Sequence, residues 1–173
     1  AGDGQMCYAV IDRGTLLAIM QAAKKADDSL LRDYAETTVA VADIKIAVRS
    51  MKTGKNKDFM KRAMAECNTL DIDRLATAAV AGMEEIERYL ADTAYAGGAE
   101  ALSESASAFE RWCDNRIIET IKPQKYNPFT VGPIVAYILA RLNEIKTVRI
   151  ILTCKLNQLP EEAIRERVRE MYV

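Results

Sequence analysis

The sequence predicts an all-α protein, on three observations. Apolar residues recur at the three-and-four spacing of helix faces along most of the chain. No window sustains the apolar–polar alternation of a strand, and Thr37 to Val41 is the one short β-branched cluster. Punctuation is sparse, with 4 prolines and 8 glycines in 173 residues, so the elements are long. A composition of 50% hydrophobic and 28% charged residues is that of a helical protein able to bury a core in one or two compact units.

In chain order, Ala1 to Gln5 reads as a small polar leader, frayed and without an initiator methionine. The first helix runs from about Ile11 to Ala26, with Leu16, Leu17, Ile19 and Met20 as its apolar face. Asp27-Asp28-Ser29 supplies N-cap chemistry for a second helix, Leu30 to about Met51, which carries Leu31, Tyr34, Ala35, Val41, Ile44 and Val48. Thr53-Gly54 stops it, and Lys57-Asp58 starts a short helix through Cys67. Leu70-Asp71 opens a helix over Ile72 to Val80 with a break near Gly82, and Glu84 to Asp92 follows with Ile86, Tyr89 and Leu90. Tyr95 to Gly98 reads as the loosest point of the middle of the chain. One long helix is expected from Glu100 to Ile121, ended by Lys122-Pro123, because proline disfavours the α region for the residue before it. Trp112, Tyr126 and Phe129 are assigned to the core or to a junction between lobes.

From Val131 to Leu156 apolar residues recur at Val131, Ile134, Val135, Ile138, Leu142, Ile145, Val148 and Leu152, and a second stripe through Tyr137, Leu139, Ala140, Ile150 and Ile151 covers much of the other side. A helix apolar nearly all round is expected to be buried on most faces and to form the packing axis. It does not read as a membrane span, since Arg141, Glu144, Lys146, Arg149 and Lys155 interrupt the run of about 20 apolar residues that a span needs. A short charged helix, Pro160 to Met171, closes the chain, with Ile164, Val168 and Met171 as its stripe and acid–base pairs such as Glu161–Arg165 outside it.

Little in the sequence advertises chemistry. There is no histidine, which removes Ser-His-Asp and Cys-His catalysis, histidine-containing zinc sites and imidazole pH sensing. Cys7, Cys67, Cys113 and Cys154 are scattered, as in a reduced cytosolic protein, and no signal peptide is evident. Thr53-Gly54-Lys55 lacks the surrounding residues of a phosphate loop, since Arg49 and Asn56 stand where it needs glycine and Ser or Thr. The acidic pairs Asp27-Asp28, Asp71/Asp73, Glu84-Glu85 and Glu161-Glu162 each fall at a helix start, where negative charge is favourable. No catalytic residue, metal or cofactor is therefore expected. A net charge of -1 gives no bulk attraction to nucleic acid. Two sets of cations are candidate partner-binding residues: Lys55, Lys57, Lys61 and Arg62 around one turn, with Lys52 beside them, and Arg141, Lys146 and Arg149 on the long apolar helix. Charges on so apolar a helix need partners, which an ion-pair network that fixes how the lobes join, or a partner protein facing Arg141 or Lys146, would supply.

The chain also echoes itself. Asp43-Ile44-Lys45 with Arg49 precedes a turn and a short helix, and Glu144-Ile145-Lys146 with Arg149 does the same later, which suggests a repeated long-helix/short-helix unit. Asn127-Pro128-Phe129, Gly132-Pro133, Asn143 to Leu152, Lys155-Leu156-Asn157-Gln158-Leu159-Pro160-Glu161-Glu162 and Ile164-Arg165-Glu166-Arg167 together form a nearly continuous signature. It resembles the C-terminal part of the C-type subunits of V-type and A-type ATPases (ATP synthases), the family that includes the d-type subunits of eukaryotic V-ATPases. Weaker similarity reaches back to about Met6. One departure is Glu66-Cys67-Asn68-Thr69, where the family has a Gly-Gly turn.

The resemblance implies helical lobes from a three-lobed funnel, here a middle repeat over 1–98 and a C-terminal lobe over 99–173, with the first lobe absent. It further implies a non-catalytic connector of the central stalk, coupling ATP hydrolysis or synthesis to ion transport. Its partners would be the central-shaft subunits and the membrane rotor ring, with no nucleic acid and no direct membrane insertion. Its place would be the cytoplasmic face of the membrane, as a peripheral part of the complex. The alternative is a free-standing helical adaptor that recognises partner helices in a groove.

Overall fold

A computed structural model describes residues 4–172. Among them the regular elements are nine α-helices and one 3₁₀ helix, with no strand: α1 (Gly4–Ala26), α2 (Ser29–Lys52), α3 (Lys57–Ala63), α4 (Ile72–Ala81), α5 (Met83–Ala91), α6 (Ala96–Glu104), α7 (Ala106–Ile121), the 3₁₀ helix Lys122–Tyr126, α8 (Gly132–Leu156) and α9 (Glu161–Arg165). The all-α expectation is met. Most of the expected leader, residues 1–3, lies outside the described residues, and α1 begins at Gly4, well before Ile11. No helix among the described residues is long and apolar enough to cross a membrane.

The chain divides into two compact units, Ala1–Glu100 and Ala101–Val173. The first is built on α2. Asp28 caps it by accepting from the Leu31 N–H at 3.1 Å, and its buried side holds Leu30, Val39, Val41, Ile44 and Val48. Met60 of α3, Leu75 of α4, and Ile86 and Leu90 of α5 complete the core with Met64. Asn56 caps α3 through the Phe59 N–H at 2.9 Å, and Asp71 caps α4 through Asp73 and Arg74 at 2.9 and 3.0 Å. Gly82, at φ 137, is the break between α4 and α5 and occupies backbone space that a side chain rarely enters. Tyr95 to Gly98 is not loose: Tyr95 is buried, its hydroxyl meets Thr69 Oγ1 at 2.8 Å, and both glycines lie inside α6.

Two carboxylates of α2 hold the segment that follows α3 and end that helix at Ala63, short of the expected Cys67. Buried Asp43 accepts from the Ala65 N–H at 3.1 Å. Glu36 accepts from the backbone N–H groups of Asn68 and Thr69 at 2.5 and 2.7 Å, and from the Thr69 hydroxyl and Asn68 amide at 2.9 and 3.1 Å. Glu36 thereby fixes the turn at Asn68-Thr69. Charged acceptors make the stronger hydrogen bonds, so Glu36→Ala is expected to cost about 2 kcal/mol. Urea denaturation with the far-ultraviolet helix signal measures it.

In the second unit α7 packs on α8. The expected long helix is interrupted at Ser105, whose hydroxyl accepts from the Ala108 N–H at 2.9 Å and starts α7 as a cap. Phe109, Cys113, Ile118 and Ile121 of α7 are buried. From α8 the buried residues are Gly132, Ala136, Ala140, Asn143, Thr147 and Cys154. This contradicts the expected packing axis. The apolar stripe points outward, and the side that packs is lined by small residues, which let a neighbouring helix approach closely. Phe129 is fully exposed and Tyr126 largely so, against their expected core or junction role, while Trp112 is half-buried and stacks on Phe109 at 6.3 Å.

The echo in the sequence has a structural counterpart. Past α2, Gly54 sits at φ 63 while the Gly54 N–H donates to Met51 C=O at 3.2 Å and the Lys55 N–H to Ser50 C=O at 2.9 Å. Past α8, Gln158 sits at φ 55, its N–H donates to Lys155 C=O at 3.0 Å and the Leu159 N–H to Cys154 C=O at 3.0 Å. Both long helices close in the same left-handed cap, followed by a short helix. Each also has a buried polar residue that holds the chain beyond that short helix: Asp43 in α2, and Asn143 in α8, whose amide donates to Glu170 C=O at 2.8 Å. Glycine is the unstrained residue for the second cap, so Gln158→Gly should stabilise the protein by about 0.5–1 kcal/mol. A shift of the urea midpoint at constant slope is the readout.

Candidate functional site

The first candidate cations sit around the α2–α3 turn and part of their charge is used internally. Lys57 and Lys61, both on α3, reach the same Asp73 carboxylate of α4 at 3.3 and 3.0 Å. The hydrogen bonds from Lys61 and then Lys57 hold that carboxyl below its ordinary pKa. Lys55 lies over the Phe59 ring, 5.1 Å from its centroid, and Lys52 and Arg62 are exposed. Thr53-Gly54-Lys55 is the helix cap described above and not a phosphate loop. A pocket of about 270 Å³ opens beside this turn, bordered by Tyr8, Asp12, Arg49, Lys55 and Phe59. Surface charges of this kind contribute little to folding, so Lys55→Glu and Arg62→Glu are each expected to change stability by no more than about 0.5 kcal/mol. A larger loss in thermal melting would make the turn structural.

The second set lies on α8. Arg141 pairs with Glu144 one turn on, and Arg149 is exposed. Lys146 reaches Asp114 of α7 at 2.6 Å, and the other oxygen of Asp114 accepts from Arg169 Nε at 2.7 Å. Asp114 and Arg169 are both buried. With Glu170 N–H donating to Asn115 Oδ1 at 2.9 Å, this pulls the last residues off the expected helix, so α9 ends at Arg165 and not at Met171. An ion-pair network thus lies inside the second unit, where the sequence reading expects one that joins lobes, and it is centred on Asp114, a residue that no motif in the sequence marks.

Around these cations lies the largest apolar surface of the second unit. Val131, Ile134, Tyr137, Ile138, Leu142, Ile145, Val148, Leu152 and Leu156 are between 48% and 84% exposed. Arg141 and Arg149 fall within this stripe on the helix circumference, opposite the buried face of Ala136, Ala140, Asn143 and Thr147. A sequence signal for this orientation existed: Gly132, Ala136, Ala140, Asn143 and Thr147 repeat at helical spacing as small or polar residues in an otherwise bulky apolar run.

The acidic pairs act as caps and first-turn charges: Asp28 and Asp71 as N-caps, Glu84 and Glu85 in the first turn of α5, Glu161 and Glu162 in that of α9. Among the described residues no group of three or more carboxylates and cysteines converges as a metal site would require. Burial pushes the Cys67 thiol up to about 11, which leaves it protonated and unreactive at neutral pH. What the arrangement offers is two structured units with exposed basic and apolar surface.

Comparison with known proteins agrees with the C-terminal signature. The chain is 27% identical over 156 residues to the C-type subunit of the A-type ATP synthase of Methanocaldococcus jannaschii, an alignment covering 85% of this chain and 39% of that protein. The chain therefore spans well under half the length of this curated relative. No solved structure matches it. The family described as ATP synthase (C/AC39) subunit matches residues 1–167, nearly the whole chain. The chain belongs to the C/AC39 family of V-type and A-type ATPase subunits.

Proposed function

We propose that this chain is part of a non-catalytic connector in a rotary ATPase, which couples the central shaft to the membrane rotor ring. Family membership over residues 1–167 carries the reading. The physical character of the chain supports it. Torque transfer needs bodies that do not yield and broad contact surfaces. The buried polar ties of Asp43, Asn143 and Asp114, which bind segments distant in sequence, supply the first. The outward apolar stripe of α8 and the cations at the α2–α3 turn supply the second. In this reading Arg141, Lys146, Arg149, Lys55, Lys57, Lys61 and Arg62 lie on or beside surfaces that meet other subunits. The connector then sits peripherally on the cytoplasmic face of the membrane.

The test is binding to purified central-shaft subunits and, separately, to detergent-solubilised rotor ring. Saturable one-to-one binding to both supports the connector role. Binding to neither by the folded protein overturns it and leaves a helical adaptor with other partners, which the exposed stripe of α8 would equally serve.

A further inference from the structure

We propose that the outer face of α8 is the docking surface for an amphipathic helix of another protein in the assembly, one whose apolar stripe is flanked by acidic side chains; this rests on the assembly role proposed above. Ile134, Ile138, Ile145 and Leu152 fall within a narrow sector of the helix and stay exposed along its length. Tyr126 and Phe129 continue the exposed apolar surface in the segment just before α8. So long an apolar strip open to water marks an interaction site. Its spacing is that of a helix-in-groove or helix-on-helix contact.

Charge selects the occupant. Between Gly132 and Leu156 the only acidic residue is Glu144, against Arg141, Lys146, Arg149 and Lys155. Glu144 is engaged by Arg141, and Lys146 by Asp114. Arg149 lies within the strip and Lys155 at its margin, so a purely apolar partner would desolvate a guanidinium without compensation. A second copy of α8 fits poorly as well. Paired antiparallel about Ile145, it would set Arg141 against Arg149 of the other copy; paired parallel, each arginine would meet itself. A helix with Glu or Asp beside its apolar ridge satisfies both the strip and the arginines, as e and g acids do in coiled coils.

The experiment uses the full chain and three synthetic peptides in fluorescence anisotropy. One is an amphipathic helix with a leucine stripe flanked by glutamates, one carries lysines in place of the glutamates, and one is a scramble of the first. The acidic helix should bind saturably and about tenfold or more tighter than either control. Arg149→Glu should invert the preference between the acidic and basic helices. Ile145→Asp should remove binding at an unchanged melting temperature, because Ile145 is exposed. Equal binding of the scramble, or indifference to Arg149→Glu, would overturn the proposal. So would a concentration-dependent dimer abolished by Ile145→Asp, or a stripe-dependent preference for anionic vesicles over the peptide. If shaft and ring bind Ile145→Asp as well as the parent chain, the connector reading stands and this surface assignment falls. If the acidic helix binds but shaft and ring do not, the reverse holds.

Discussion

Asp114→Ala is expected to lower the stability of the second unit by about 3–5 kcal/mol, the usual cost of removing one member of a buried ion pair. Asp114 and Arg169 are both under a tenth exposed, and Arg169 Nε lies 2.7 Å from the carboxylate. Without that carboxylate the guanidinium is left in the interior, and the C-terminal segment that it anchors loses its tie to α7. Lys146, the other partner, has a side chain 48% exposed, so solvent screens its pair. Lys146→Ala is therefore expected to cost under about 1 kcal/mol. Trp112, the sole tryptophan, reports on this unit from α7. Urea unfolding followed by its fluorescence should show the two variants far apart; equal losses would mean that Arg169 does not depend on Asp114.

The second large effect is a pH dependence. Burial pushes the Asp43 carboxyl up to about 7 from its ordinary 3.8, opposed by the Ala65 N–H and by the positive charge of Arg13. Its Oδ2 has no hydrogen-bond partner among the described residues. Because the folded value is the higher one, the folded state binds this proton more tightly. The group's contribution to stability is then fully present below about pH 4 and is lost as pH rises to about 7. A shift of this size corresponds to roughly 4 kcal/mol at most. Asp43→Asn keeps an oxygen for the Ala65 N–H and removes the titration. The stability of the variant relative to the parent should therefore rise between pH 4 and pH 7 and level off above it. A difference constant with pH would show that Asp43 does not titrate in the fold.

Much of the fold is legible in the sequence because it is written in local chemistry. Asp28 and Asp71 cap helices where the sequence places helix starts, and Gly54 and Gly82 mark the ends of α2 and α4. Ser105 is as well placed to cap, yet the apolar spacing on both sides of it reads as one helix. The orientation of α8 is not legible from its apolar period. That period fixes a helix and an apolar face, and leaves open whether the face meets the same chain or another. The decisive signal is the opposite one, the row of small residues from Gly132 to Thr147 that allows α7 to come close. The ties made by Glu36 to Asn68 and Thr69, and by Asp114 to Arg169, join positions far apart in the chain, where no local pattern announces them. For the same reason the sequence identifies the cations of the candidate surfaces without revealing that Lys57, Lys61 and Lys146 are engaged by carboxylates within their own units.

The most direct test of the α8 surface as an interface of the assembly is photo-crosslinking from position 145 in the assembled ATPase. A photoreactive amino acid replaces Ile145, an exposed position in the middle of the α8 strip. The expected result is a covalent adduct with another protein of the complex, absent when the photoreactive residue is moved to exposed Val80 of α4. An assembled complex in which position 145 forms no adduct with any neighbour would contradict it.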